Sequence, residues 1–218
     1  MIKKQLRISK AYLQENAENA RVCCDVFYDN HMSIFWYEVD KKYKDYLCHE
    51  KNDAFVAALL YFCMTKGLDI VSEGDVSAQL LFQLNHIYIH SVSNEIAEFN
   101  PIKIYANPNG DVLSSEGHVG ASFSAGVDSF HTIFTNKADE QNSLKISCMT
   151  FFKNGFSGNS MLANAINEKR SVEFGKIVHE LGYPFIEVRT NLRYYMPFDP
   201  VVSLVTLATA LSIQKYMK

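Results

Sequence analysis

Seven residues between positions 122 and 129 carry the chemistry that this chain offers most plainly: Ser122, Ser124, Ala125, Gly126, Val127, Asp128 and Ser129. Ser124 and Ser129 supply hydroxyl donors. Gly126 lets the main chain approach an anion closely. Asp128 adds one carboxylate. The short run 119–123 reads as a strand, and a helical pattern follows from about residue 129. A loop in that position ends on a helix N-terminus, whose free N–H groups and positive dipole end together bind phosphate. Asp128 alone would repel a phosphate, so it either caps the helix or holds a Mg²⁺ ion that offsets the charge. The pattern G-x-x-x-x-G-K-[ST] is absent, which argues against a kinase-like grip on a terminal phosphate.

The run Ser124-Ala125-Gly126-Val127-Asp128-Ser129 resembles the S-G-G-x-D-S fingerprint of the PP-loop ATP pyrophosphatase superfamily, the adenine nucleotide alpha hydrolase-like proteins. Ser124, Gly126, Asp128 and Ser129 match it, and Ala125 replaces the glycine of its second position. With residue usage near 5–7%, four such matches arise by chance in about one chain in a few hundred. The superfamily includes GMP, NAD, asparagine and argininosuccinate synthetases, tRNA thiolation enzymes and the synthase that makes cyano-deazaguanine. The resemblance implies that the loop holds the pyrophosphate portion of ATP, with Mg²⁺ at Asp128. It implies nucleotide contacts from Ser122 and residues 124–129, with Asp128 and Ser129 at the reacting centre. Thr150 and Phe151, at the end of a second strand, would meet adenine largely through the main chain, and a purely core role for Phe151 and Phe152 stands beside that reading. The implied reaction transfers AMP to a carbonyl or carboxylate oxygen of a small-molecule or modified-nucleobase substrate and releases pyrophosphate. A nitrogen or sulfur nucleophile then displaces AMP. No C-x-x-C pair occurs, which tilts the expectation from sulfur transfer towards amide or related ligation.

Other residues compete for a role. Lys153, Arg170, Arg189 and Arg193 lie near expected strand ends or loops and are candidates to stabilise a leaving pyrophosphate, against a plain reading as solvated surface charge. Asp199 precedes Pro200 and reads as the N-cap of a last helix. Around Ser122 and Ser124 the glycines of a serine-hydrolase elbow are incomplete: Gly120 precedes Ser122, Gly126 follows Ser124, and neither serine has both. His86 and His90 stand four apart on an expected helix, with no third metal ligand evident. A nucleotide-binding module without catalysis is the second functional reading.

These residues need a scaffold. In the first half, residues 21–28 and 33–39 read as strands around a turn at Asp29-Asn30. Asp53 reads as the cap of a helix that ends at Gly67 and is apolar on nearly every side. A second helix begins near Ser77, and residues 101–105 form a short strand. Asn107-Pro108-Asn109-Gly110 is a strong turn signal and the best internal boundary. In the second half, residues 144–152 and 184–189 read as strands, with helices at 160–181 and from Pro200 to the last residue. This alternation argues for a parallel sheet with flanking helices. The expected architecture is therefore α/β, Rossmann-like and of PP-loop/HUP type over residues 109–218, preceded by an α+β region of unknown role over residues 1–108. PP-loop domains order five parallel strands 3-2-1-4-5, and this stretch has room for three. The loop-bearing strand then lies at a sheet edge unless the N-terminal region covers it, and a truncated chain is the favoured expectation.

Composition bounds the rest. The 218 residues are 48% hydrophobic and 21% charged, with a net charge of −3, ordinary globular usage that suggests no general grip on nucleic acid or anionic membrane. The longest apolar run, 54–64, is too short to span a bilayer. Five cysteines without metal-ligand spacing suggest free thiols and a cytoplasmic setting. A homo-oligomer is compatible with all of this.

Overall fold

The computed structural model describes residues 4–139, 144–153, 161–195 and 202–217. The chain opens with strands β1 (Gln5–Ile8), β2 (Tyr12–Glu15), β3 (Asn19–Tyr28) and β4 (His31–Asp40), a 3-10 turn at Lys41–Tyr46, and helix α1 (Asp53–Lys66). Strands β5 (Asp69–Ser72) and β6 (Val76–Ser77) lead into helices α2 (Ala78–Gln83) and α3 (Ile89–Glu95), joined by a π-helical turn at Leu84–Tyr88. Then come β7 (Ile104–Tyr105), β8 (Pro108–Asn109), β9 (Gly120–Ser122), α4 (Val127–Ala138), β10 (Cys148–Lys153), α5 (Met161–Glu180), β11 (Phe185–Thr190), a 3-10 turn at Leu192–Tyr194 and α6 (Val202–Ser212). The fold is mixed α/β, with six α-helices among the described residues.

Local sequence explains several boundaries. Asp29 and Asn30 both adopt positive φ, 51° and 63°, as a two-residue I′ hairpin requires, so β3 and β4 pair down to Tyr28 and His31. Gly67 ends α1 in a left-handed conformation, φ 63°, with its N–H turned back to the last turn. Asp53 departs from its expected role. It is the first helical residue, and Asn52 occupies the cap position without a side-chain capping bond. The Asp53 carboxylate instead accepts the N–H and hydroxyl of Ser77, at 2.7 and 2.5 Å, tying the start of α1 to the start of α2. In the π turn, the Asn85 carboxamide bonds both the N–H and the C=O of Ile104 at 2.9 Å and so satisfies part of β7.

One nine-stranded mixed sheet runs β7-β5-β1-β3-β4-β11-β10-β9, with β2 also on β3, and β6 and β8 form a separate pair. Strands β9, β10 and β11 are parallel to one another. The N-terminal strands join them through β4, which pairs antiparallel with β11 at Arg189↔Glu38 and Thr190↔Tyr37. They therefore extend the sheet beyond β11 and leave the outer edge of β9 alone. Beside the approach to β9 runs the segment after α6: Glu116 N–H donates to Lys215 O at 2.9 Å, His118 N–H to Tyr216 O at 3.1 Å, and His118 bridges Met217 in parallel.

Helices α1 and α6 pack together against one face of the sheet. The main core lies there and includes Phe35, Tyr37, Phe55 and Leu59 with Ile186, Val188, Leu204 and Ala208, so residues from both halves of the chain share it. A smaller core of Phe123, Ile133, Met149 and Val178 lies on the opposite face, under α4 and α5. Among the described residues no helix is long and apolar enough to cross a membrane.

Candidate functional site

Phe123 is fully buried, and its N–H donates to Thr150 O at 2.8 Å, which fixes the end of β9 against β10. Its ring meets Phe130 and Phe174 edge-on. Beyond this anchor the chain turns outward. Ala125 takes φ 54°, a left-handed conformation that glycine adopts without cost and alanine does not. This is the position at which the sequence departs from the S-G-G-x-D-S fingerprint. The backbone angle at this position favours glycine, and the small size of alanine does not meet that demand. Gly126 is extended, with φ −85° and ψ 167°, and forms the N-cap of α4. A Cβ on Gly126 would stand 3.3 Å from the Ser124 hydroxyl, a tight fit.

Two serines close the loop. Ser124 N–H donates to Ser129 Oγ at 3.1 Å, and the two hydroxyl oxygens share a hydrogen bond at 3.0 Å. Gly126 N–H turns to Ser124 Oγ at 3.4 Å. Phe130 N–H to Gly126 O, 3.3 Å, is the first helical bond. The N–H groups of Val127, Asp128 and Ser129 form no hydrogen bond among the described residues, as expected of a first helical turn. Helix α4 thus begins two residues earlier than its apolar pattern suggested, and its whole first turn belongs to the loop.

Asp128 stands at the second position of α4, exposed, and is not the cap. It makes no hydrogen bond or ion pair among the described residues. No group of three or more metal-binding side chains occurs among them either. A divalent ion at Asp128 would therefore take most of its ligands from phosphate oxygens and water, the usual manner for Mg²⁺. One exposed carboxylate beside unpaired N–H groups fits that pattern.

Ser122 and Thr150 face each other across β9 and β10, and both line a cavity of about 460 Å³ with Phe152, Leu144, Thr206 and Met217. The Thr150 hydroxyl donates to Ala121 O at 3.3 Å. Phe151 lies on the other face of β10, its ring against Phe174 and Phe185. The structure thus brings Ser122, Thr150 and residues 124–129 to one end of β9 and turns the half-buried Phe151 ring away, against Phe174 and Phe185.

Two of the candidate cations, Lys153 and Arg189, fit neither reading of them. The Lys153 side chain is only 7% exposed and bridges Glu168 at 2.9 Å and Glu187 at 3.0 Å. Arg189 meets Glu187 at 2.8 Å, Glu38 at 3.4 Å and Glu168 at 3.9 Å. Burial alone would lower the Arg189 pKa, but these carboxylates outweigh it and raise it. Both cations hold β4, β10, β11 and α5 together. Arg170 is exposed on α5, Arg193 lies in the Leu192–Tyr194 turn, and residue 199 falls outside the described residues. His118 bonds the Ser147 hydroxyl through Nδ1 at 3.0 Å and stacks on Tyr216, well before the loop serines in β9 order. The His86 ring lies tilted against that of Phe82.

No protein-family model matches this chain, and no curated protein matches it. A cavity of about 640 Å³ contains none of the candidate residues named above. Lys51 on its wall belongs to no motif, and only its burial in the folded chain marks it.

Proposed function

We propose that residues 124–129 form an ATP site of the PP-loop type and that the protein is an ATP-dependent enzyme that adenylates an oxygen of its substrate. One observation carries the reading. Asp128 sits in the first turn of a helix whose N-cap is Gly126, so helix capping does not account for the carboxylate, and it stands exposed beside three main-chain N–H groups that have no hydrogen-bond partner among the described residues. Supporting it, the loop follows a parallel strand and opens a helix, where ligands of open α/β sheets bind. The order β11-β10-β9 also agrees with the 3-2-1 half of a PP-loop sheet.

In this reading the N–H groups of Val127, Asp128 and Ser129 and the two serine hydroxyls hold the β- and γ-phosphates, and Asp128 orients Mg²⁺. The metal, when bound, offsets phosphate charge. The substrate carbonyl or carboxylate oxygen attacks the α-phosphorus, the bond to the β-phosphate oxygen breaks, and pyrophosphate leaves. A nitrogen nucleophile then displaces AMP. The loop donors act where charge gathers on the leaving group.

A second reading, a nucleotide-binding module without turnover, draws on Lys153 and Arg189. Both are committed to carboxylates, so neither is available to the leaving pyrophosphate. Calorimetry with MgATP and assays of AMP and pyrophosphate release on a panel of carboxylates and amines separate the two. The enzyme reading expects stoichiometric release of both products, lost in Asp128→Ala. MgATP binding without products supports the module. Absence of MgATP binding, or full activity in Asp128→Ala, sinks the nucleotide site.

A further inference from the structure

The cavity of about 640 Å³ lies where the starts of α1 and α2, the stretch 109–115 and the end of α6 meet. Lys51 forms part of its wall and is only 5% exposed. Its ammonium donates to Asp111 O at 2.5 Å and to Ser77 Oγ at 3.3 Å, both uncharged oxygens. An ammonium has three N–H donors, so one is unspent among the described residues. Among the described residues no carboxylate lies within 4.0 Å of it. The Asp53 carboxylate close by is engaged with the Ser77 N–H and hydroxyl. A cation taken out of water without a contacting counter-charge is costly, and an anion from outside the chain would relieve that cost.

The remaining walls add two properties. Asp111 is exposed and lines the cavity, and it is the carboxylate-bearing residue of that wall. Leu113, Leu211 and Met217 give apolar surface, and Val112 beside them is 96% exposed, an apolar side chain left uncovered among the described residues. A volume near 640 Å³ suits a small molecule. Opposite charges beside apolar surface complement a zwitterion that carries an apolar group.

We infer that this cavity binds a free α-amino acid with an apolar side chain. Its carboxylate pairs with Lys51, its ammonium with Asp111, and its side chain lies against Leu113, Leu211 and Met217. The site includes none of residues 124–129, although Met217 and Ala210 also border the cavity that Ser122 and Thr150 line. The inference does not rest on the ATP reading, and its test contains no nucleotide.

The test is calorimetry with L-leucine and L-methionine on the full chain, with amide chemical-shift mapping. Saturable binding with shifts at Val112 and Leu113 is expected. 4-Methylpentanoate, which lacks the ammonium, and 3-methylbutylamine, which lacks the carboxylate, should each bind at least about tenfold more weakly. Lys51→Met should weaken L-leucine by a similar factor. If that variant does not fold, Asp111→Asn decides, because it keeps the main-chain carbonyl used by Lys51; it should weaken L-leucine severalfold and leave 4-methylpentanoate unchanged. Binding of 4-methylpentanoate as tight as that of L-leucine, shifts confined to other surfaces, or no saturable binding of either amino acid overturns the proposal.

Discussion

Ser124 and Ser129 close one turn with two hydrogen bonds: the Ser124 N–H reaches Ser129 Oγ at 3.1 Å, and the two hydroxyls meet at 3.0 Å. The pair is largely open to solvent, so water can replace either partner cheaply. Ser129→Ala should therefore lower unfolding free energy by about 1 kcal/mol or less in urea titrations. Its MgATP affinity should fall at least about tenfold, since hydrogen bonds to charged groups contribute more. A loss of stability above roughly 3 kcal/mol with unchanged nucleotide affinity would mark the pair as purely structural.

Ala125 adopts φ 54°. Left-handed backbone costs a non-glycine residue roughly 1–2 kcal/mol, whereas glycine gives back about 1 kcal/mol in chain entropy. Ala125→Gly should thus be neutral to stabilising by about 1 kcal/mol, and Ala125→Val should destabilise clearly. Thermal melts that rank valine above glycine would show that the turn does not hold this angle in solution.

Lys153 sits between Glu168 and Glu187, and Glu187 also takes bonds from Arg189 and from the Ser171 hydroxyl. Lys153→Met keeps much of the buried stem but leaves Glu187 short of one cation. A loss of about 2 kcal/mol is expected. Because Arg189 remains, Glu187→Gln in the same background should recover part of it. Additive losses in that double-mutant cycle would mean the two side chains do not interact.

All five cysteines are free and buried. Burial raises the Cys23 and Cys148 thiols to about 11, and the Tyr195 and Tyr216 hydroxyls to about 12. Groups with raised folded values stabilise fully below their unfolded values, about 8.5 for a thiol, and lose that contribution as pH climbs through the folded ones. Unfolding midpoints should therefore be steady to about pH 8 and decline between about 9 and 12. Iodoacetamide at about pH 8 should modify no cysteine in the native protein and all of them in urea, because the thiolate is the nucleophile. Rapid native labelling would contradict the burial.

Gly120 lies under Met217: a Cβ there would approach the sulfur to 2.8 Å and the terminal methyl to 2.9 Å. Gly120→Ala should destabilise by about 1 kcal/mol, as overpacking does, and Met217→Ala in the same chain should remove that penalty. Equal penalties in both backgrounds would place Met217 elsewhere.

Local signals were legible where one short segment decides the outcome. Gly67 stops α1 at Lys66, and Asp29-Asn30 turns the β3–β4 hairpin, because each depends on backbone angles that few residues tolerate. The loop at residues 124–129 was legible for the same reason. The four-residue strands β1, β2 and β5 were not, since their hydrogen bonds go to partners far along the chain and leave no periodicity to read. The true place of Asp53 was hidden likewise: Ser77, its partner, comes 24 positions later. Lys153 and Arg189 looked like surface charge because ion pairing across β4, β11 and α5 exists only after the sheet forms.

The seam between β4 and β11 joins residues as distant as Trp36 and Thr190, 154 positions apart. Such pairing must await the closure of a very long loop, which slows folding. During synthesis the ten-residue β4 would emerge and wait with one edge unsatisfied until β11 follows. An extended edge of that kind invites pairing with other chains. Refolding yield should therefore fall steeply with protein concentration, and cellular production should benefit from slow synthesis or added chaperones.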